Sequence, residues 1–336
     1  MAFRTAKATK IGGKFLAYGE TGSGKSWFQL TFPNVACIDS EAGIGFYENK
    51  PITLNNGKIY NNLKLVDNTS DLDTLEEDLD AFLDGEYEGK INTLSIDSET
   101  KFYSTMQISA LEVEERRARR KGGDIDDAGI SVKQWGRIKL INMKFQQAKI
   151  DLIIALITLK YTQSIVSIAQ QVEVKDDKGE KVIGYKPDMH KSVGFDYDVV
   201  LRFFKKKNKD SDGCTYYAEV IKDRTGVTKV GSVIENPCYD IWKDFFDGIS
   251  GLDTLETSYR NDLDKSTEHM IDKDDKAEAI VAEWKPLMKS ITDNGNASAV
   301  KQINAFIKEK GLNIKNMTAE SPEILAELLD LTKSLS

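Results

Sequence analysis

The chain is poor in the residues that cross-link or metallate small folds. Its three cysteines, Cys37, Cys214 and Cys238, are odd in number, far apart and without C-x-x-C spacing, so they offer neither a disulfide framework nor a zinc site and suit a reducing cytosol. Of its two histidines, His190 has no ligand partner at metal spacing. Long apolar runs are missing: the longest, Leu152 to Leu159, is far too short to span a bilayer, and the N-terminus shows no signal-peptide core. A soluble, cytoplasmic protein with no membrane partner is expected. Excess positive charge is missing as well. The net charge is −8, which argues against indiscriminate nucleic-acid binding and requires any such binding to use a local basic patch. The acid is unevenly placed, with 19 Asp and Glu against 12 Lys and Arg from Asp240 onward.

What the chain does have is size and one strong motif. Its 336 residues, 40% of them hydrophobic, suffice for one large domain plus a smaller one. Gly19, Glu20, Thr21, Gly22, Ser23, Gly24, Lys25 and Ser26 fit the phosphate-loop pattern G-x-x-x-x-G-K-[ST] without a mismatch. The glycines let backbone N–H groups turn inward around a phosphate, where any Cβ would obstruct the turn. Lys25 is placed to reach the β/γ-phosphates of ATP, and the Ser26 hydroxyl to ligate Mg²⁺. The flanks agree: Lys14–Tyr18 reads as a strand leading in and Lys25 to Phe32 as a helix leading out, so the phosphates would sit on a helix N-terminus.

Further strands end in acids. Val35–Asp39 is followed by Ser40-Glu41, which makes Glu41 the candidate base that orients the attacking water. Ile91–Asp97 ends in Asp97, the candidate carboxylate for the magnesium's water shell, and Glu99 could share the water-activating role. An amphipathic helix capped by Ser70 lies between them, with Leu72, Leu75, Leu79 and Phe82 inward.

A long helical stretch then carries Arg116, Arg117, Arg119, Arg120 and Lys121, the densest basic run in the chain, closed by two glycines. It could contact nucleic-acid phosphates, or its arginines could pair with Glu112, Glu114 and Glu115 one turn away. The next helix, Val132 to Ala148, places Trp135, Ile138, Ile141 and Phe145 at core spacing and feeds the apolar run 151–158, read as a buried parallel strand with Thr158 at its end as a nucleotide sensor. Residues 170–175 and 181–185 form a hairpin over Asp176–Gly179. Two strands, Tyr197–Phe204 and Thr215–Ile221, are joined by a lysine-rich turn over Lys205 to Lys209, and the second runs into Lys222-Asp223-Arg224-Thr225-Gly226. Lys222 and Arg224 face one side of an extended chain, so they can converge on one phosphate, of their own nucleotide or a neighbour's; a surface salt-bridge role is the plain alternative.

The ordered set Gly19 to Ser26, Ile38–Glu41, Leu94–Asp97 and Lys222–Gly226 resembles the RecA-like ATPases, most closely the Sak-type single-strand annealing ATPases of bacteriophages. The resemblance implies that Glu41 is the catalytic glutamate, and that Lys222 and Arg224, similar to an element of the RadA relatives, reach across a subunit boundary. RecA-type proteins carry a glutamine at the strand end where this chain has Thr158, and the family's DNA-binding loops have only plausible positions, 116–123 and 161–192.

The expectation is an α/β RecA-like P-loop core over 1–250 with a mostly parallel sheet, a charged linker over 251–276 and a small helical bundle over 277–336. The expected activity is Mg²⁺-dependent ATP hydrolysis, with Lys25, Glu41, Lys222 and Arg224 catalytic and Ser26 and Asp97 at the metal. What the resemblance adds is a homo-oligomer, ring or filament, with nucleotide at the subunit interface, acting on single-stranded DNA in annealing or strand exchange, with a single-strand-binding protein or another recombination protein as a possible partner and the bacterial host cytoplasm as its place. Two other readings stand beside it: an ATP-driven loader or motor accessory working through a protein partner, and a small-molecule kinase with the arginine run as its lid.

Overall fold

The computed structural model describes residues 5–6, 12–120, 135–141, 143, 164–191, 193–208, 213–249 and 259–335. It divides into two compact units, Met1–Thr257 and Ser258–Ser336.

The first unit is built on β1 (Gly13–Gly19), β2 (Val35–Asp39), β5 (Leu63–Asp67), β6 (Thr93–Asp97), β7 (Ser164–Lys175), β8 (Val182–Pro187), β9 (Val199–Lys207), β10 (Cys214–Asp223) and β11 (Val233–Glu235). Among the described residues these make one sheet in the order β11-β10-β9-β1-β7-β6-β2-β5, with β8 hairpinned onto the outer half of β7. From β9 to β5 the strands are parallel, while β10, β11 and β8 run antiparallel to their neighbours. The short strands β3 (Ile52–Thr53) and β4 (Ile59–Tyr60) pair separately.

Both faces of the parallel part are buried, as its unbroken apolar strands require. On one face α1 (Lys25–Gln29) and α4 (Asp240–Ile249) pack Phe28, Trp242 and Phe246 onto Phe15, Val166, Leu201 and Phe203. On the other, α2 (Leu72–Leu83) and α3 (Glu99–Arg120) pack Leu75, Leu79 and Phe102 onto Ala36, Leu94 and Ile165. Each such buried side chain contributes roughly 1.5–3 kcal/mol. Phe28 is 1% exposed and touches four rings, so Phe28→Ala would cost about 3–5 kcal/mol.

Several local expectations shift. α1 stops at Gln29, short of Phe32, because the Thr31 hydroxyl donates to the Phe28 carbonyl at 2.7 Å and turns the chain toward Pro33. Asp71, one residue past Ser70, caps α2 by accepting the Thr74 N–H at 2.8 Å. Trp135 is 47% exposed whereas Ile138 is buried against Ala110, so this helix turns a narrower apolar face inward than its spacing suggests. The run 151–158, with Thr158, lies outside the described residues, and the slot between β1 and β6 belongs to β7.

In the second unit α5 (Tyr259–Asp293), α6 (Ala297–Glu309) and α7 (Pro322–Leu335) enclose Val281, Trp284, Ile303, Leu325 and Leu328. Residues 259–276, read from sequence as linker, are the first half of α5; Lys, Glu and Met favour helix even where apolar residues are few. Trp284 Nε1 donates to the buried Thr332 hydroxyl at 2.9 Å, and Gly311, at φ +68°, ends α6.

Candidate nucleotide site

The loop leaves β1 at Gly19, where a Cβ would lie 2.2 Å from the Phe203 carbonyl oxygen of β9, so only glycine fits. Gly22 and Gly24 have φ of +68° and +93°, the left-handed conformations that turn successive N–H groups to one side. Lys25 Nζ donates to the carbonyl oxygens of Gly19 at 3.0 Å and Glu20 at 2.8 Å. Burial lowers its pKa, while the charges of Asp97, Glu41 and Glu20 pull it back up.

Four strand ends converge on this loop. Asp97 stands beside Asp39 in register, and its Oδ2 accepts from Ser26 Oγ at 2.9 Å and from Gln29 Nε2 at 2.7 Å. Gln29 is itself oriented by the Ser95 hydroxyl, which donates to its Oε1. Burial pushes the Asp97 carboxyl up to about 6; the bonds from Ser26 and Gln29 oppose that shift, and the charges of Glu41 and Asp39 add to it. A divalent cation between Ser26 and Asp97 would relieve this cost, taking one hydroxyl and one carboxylate from the protein and the remainder from phosphate and water. The donor set therefore fits magnesium.

Glu41 follows β2. The Asp39 carboxylate shapes its turn by accepting the Glu41 N–H at 3.1 Å and the Ile44 N–H at 2.8 Å. Glu41 Oε1 accepts from Ser98 Oγ at 2.7 Å and from Gln170 Nε2 at 3.2 Å. Lys25, Ser26, Asp97 and Glu41, four residues singled out from sequence, are thus brought to one place.

The family model of an AAA domain, AAA_24, matches residues 11–232, about two thirds of the chain. The chain belongs to the AAA_24 family. Among curated proteins no sequence matches it. The AAA_24 domain is a P-loop ATPase, and its matched range runs from just before β1 to just short of β11. In this AAA_24 chain no helix among the described residues is long and apolar enough to cross a membrane.

The other candidates lie elsewhere. Glu99 is wholly buried, and its Oε1 accepts from Ser167 Oγ at 2.9 Å and Tyr197 OH at 3.4 Å, so it belongs to a buried network under the sheet, where attacking water has no access. Lys222 and Arg224 stand at the opposite end of the sheet: Lys222 pairs with Val200, which pairs with Leu16, three residues before the loop begins. Lys222 Nζ donates to the carbonyls of Gly194 at 3.1 Å and Phe195 at 3.0 Å; Arg224 bonds Asp198 at 3.2 Å and the Phe195 carbonyl at 3.1 Å. From there they do not reach their own phosphate loop. Arg116, Arg117 and Arg119 are ion-paired with Glu112, Glu114 and Glu115 of their own helix, the plainer of the two alternatives; Lys121 lies outside the described residues.

Sequence reasoning missed four neighbours of the loop. Gln170 is in register with Gly19 midway along β7, disguised in sequence by the longer apolar run upstream. Lys205, read as part of a turn, is the end of β9, and its Nζ lies 3.4 Å from the Thr21 carbonyl oxygen. Trp27 and Tyr216, with ring centroids 6.3 Å apart, flank Gly24; a Trp directly after G-K-S was the available signal for them.

Proposed function

We propose that this AAA_24 chain is a magnesium-dependent ATPase of RecA type that works as a homo-oligomer on single-stranded DNA, in phage-type annealing or strand exchange. The observation that carries the reading is the bond from Gln170 to Glu41. Gln170, on the strand beside β1 and level with Gly19, touches the candidate base, and this supports a likeness to RecA-type proteins, which carry a glutamine at a strand end. In this reading Lys25 exchanges the carbonyls of Gly19 and Glu20 for phosphate oxygens. Ser26 and Asp97 would hold the magnesium, which would supply charge neutralisation at the phosphates. Glu41, aimed by Ser98 and Gln170, takes the proton of the attacking water. The rings of Trp27 and Tyr216 offer a surface to the base. Lys222 and Arg224 act on the nucleotide of a neighbouring copy, which makes oligomerisation part of the active site. A single-strand-binding protein is the partner such a cycle calls for.

The test is steady-state phosphate release from ATP and Mg²⁺, with and without single-stranded DNA, for the wild type and Glu41→Gln. Stimulation by DNA that disappears in Glu41→Gln is the expected result. Turnover indifferent to DNA would replace this reading with that of a loader acting through a protein partner, and deletion of 277–336 would then abolish function.

A further inference from the structure

The sheet face formed by β9, β10 and β11 differs from the rest. Its inner side is filled by Trp242 and Phe246 of α4 packing on Val199, Leu201, Phe203, Ala218 and Val220. Strand alternation puts Arg202, Phe204, Lys206, Tyr217 and Glu219 on the outer side. There the planar groups form a ladder. Phe204 and Tyr217 stack with centroids 5.6 Å apart and planes 19° from parallel. The Arg202 guanidinium lies 5.4 Å from the Phe204 ring and 5.1 Å from the ring of Tyr185 on β8, held by its bond to Glu219 at 2.9 Å. Lys206 Nζ stands 5.5 Å from Phe204 and 5.2 Å from Tyr217. At the Tyr185 end the ladder opens onto a cleft of about 500 Å³ shared by Tyr18, Ile183 and Ile221, where Tyr185 is 40% and Ile183 63% exposed.

We propose that this face is where single-stranded nucleic acid docks, with bases stacking on the ladder and entering the cleft beside Tyr185, and phosphates tracking Arg202 and Lys206. Strand alternation puts the cations Arg202 and Lys206 and the acid Glu219 on this face, in a chain whose net charge is −8. Stacking on aromatic faces interleaved with cations is the chemistry that holds single strands without reading their sequence. Of the arginines of α3, by contrast, Arg116, Arg117 and Arg119 are already paired within their own helix. The ladder is also joined to the nucleotide site. The hairpin carrying Tyr185 is anchored by Asp188, whose carbonyl accepts from Thr100 Oγ1 at 2.9 Å, and by Gln170, whose N–H donates to that same Oγ1 at 3.0 Å while its side chain holds Glu41.

The proposal rests on the reading that the chain binds single strands, and the experiment separates the two. Anisotropy of a labelled oligo-dT is measured with the full chain at two salt concentrations for the wild type, Tyr185→Ala/Tyr217→Ala, Lys206→Ala, and a variant with Arg116, Arg117, Arg119 and Arg120 all replaced by Ala. Binding of a fluorescent ATP analogue serves as the fold control. Expected is a loss of about tenfold or more in oligo-dT affinity for the tyrosine pair, with the ATP analogue still bound. Lys206→Ala should reduce the salt slope by about 0.7. An unchanged affinity in the tyrosine pair alongside a loss in the arginine variant overturns the proposed surface. If unchanged DNA affinity accompanies a smaller assembly in sedimentation, the face is a contact between copies and the proposal is overturned. No oligo-dT binding by the wild type would remove the single-strand reading itself.

Discussion

Two lysines at opposite ends of one sheet make a useful contrast. Lys25 and Lys222 each rest their ammonium groups on a pair of backbone carbonyls, and burial lowers the pKa of both. Their surroundings differ. Around Lys25 stand Asp97, Glu41 and Glu20 against the one further cation Lys205, a surplus of acid that a divalent cation would offset. Beside Lys222 stands Arg224, whose charge lowers the Lys222 pKa further, while the charges of Asp198 and Asp196 raise it. The pocket and the far-end cations lie too far apart along the sheet to meet within one copy, so under the proposed reading they would meet only between copies.

The most severe break of this contrast is Lys25→Ala, which should abolish both nucleotide binding and phosphate release. Next is Lys222→Ala/Arg224→Ala, for which turnover should fall by about 10³-fold with nucleotide binding retained. The sharper form of this test mixes the two variants. A Lys25→Ala chain has no working pocket but intact far-end cations, and the double variant has the reverse, so an interface between them holds one complete site. Activity recovered on mixing supports action in trans; two inactive proteins that stay inactive together would argue that the far-end cations do structural work through Gly194, Phe195 and Asp198.

A third test uses acidity. Burial lifts the Asp97 carboxyl from its ordinary value near 3.8 to about 6, so the folded chain binds this proton more readily than the unfolded one. By linkage, this residue's contribution favours the folded apo state as pH falls through 6 and opposes it above. Magnesium requires the ionised form, so Mg²⁺-dependent protection against thermal unfolding in the presence of nucleotide should weaken about tenfold in affinity per pH unit below 6. Asp97→Asn should raise the apo melting temperature at pH 8 and lose the magnesium response. A wild-type response that stays flat from pH 8 to pH 5 would contradict the buried-carboxylate account.

How much of this was legible in the sequence differs between the two ends as well. At the loop end, each group lies next to a signal: Lys25 and Ser26 within the glycine pattern, and Asp97 and Glu41 at or just past strands whose apolar run stops in acid. Local chemistry and position coincide there. At the far end, the sequence showed that Lys222 and Arg224 share a side, yet which end of the sheet they occupy depends on β10 running antiparallel to β9, a fact of pairing that no local pattern encodes. Gln170 escaped for a related reason. The apolar run 151–158 and the mixed Ser164–Ala169 both fit a buried strand by composition, and only pairing with β1 and β6 assigns the slot. The planar ladder was invisible because its members come from three strands.

The smallest effect expected is at Gln170, and it bears on whether the loop end acts alone. Gln170 touches Glu41 through its side chain and Thr100 through its backbone, so the side chain can be removed without loosening the strand. Gln170→Ala should leave basal turnover within a few-fold of wild type, since Ser98 still holds Glu41. Any stimulation by single-stranded DNA should fall by up to about tenfold, the scale of energetic coupling through one shared contact. Basal and stimulated rates falling together would mean that Gln170 only positions the base, and the hairpin's contact with the nucleotide site would then carry no signal.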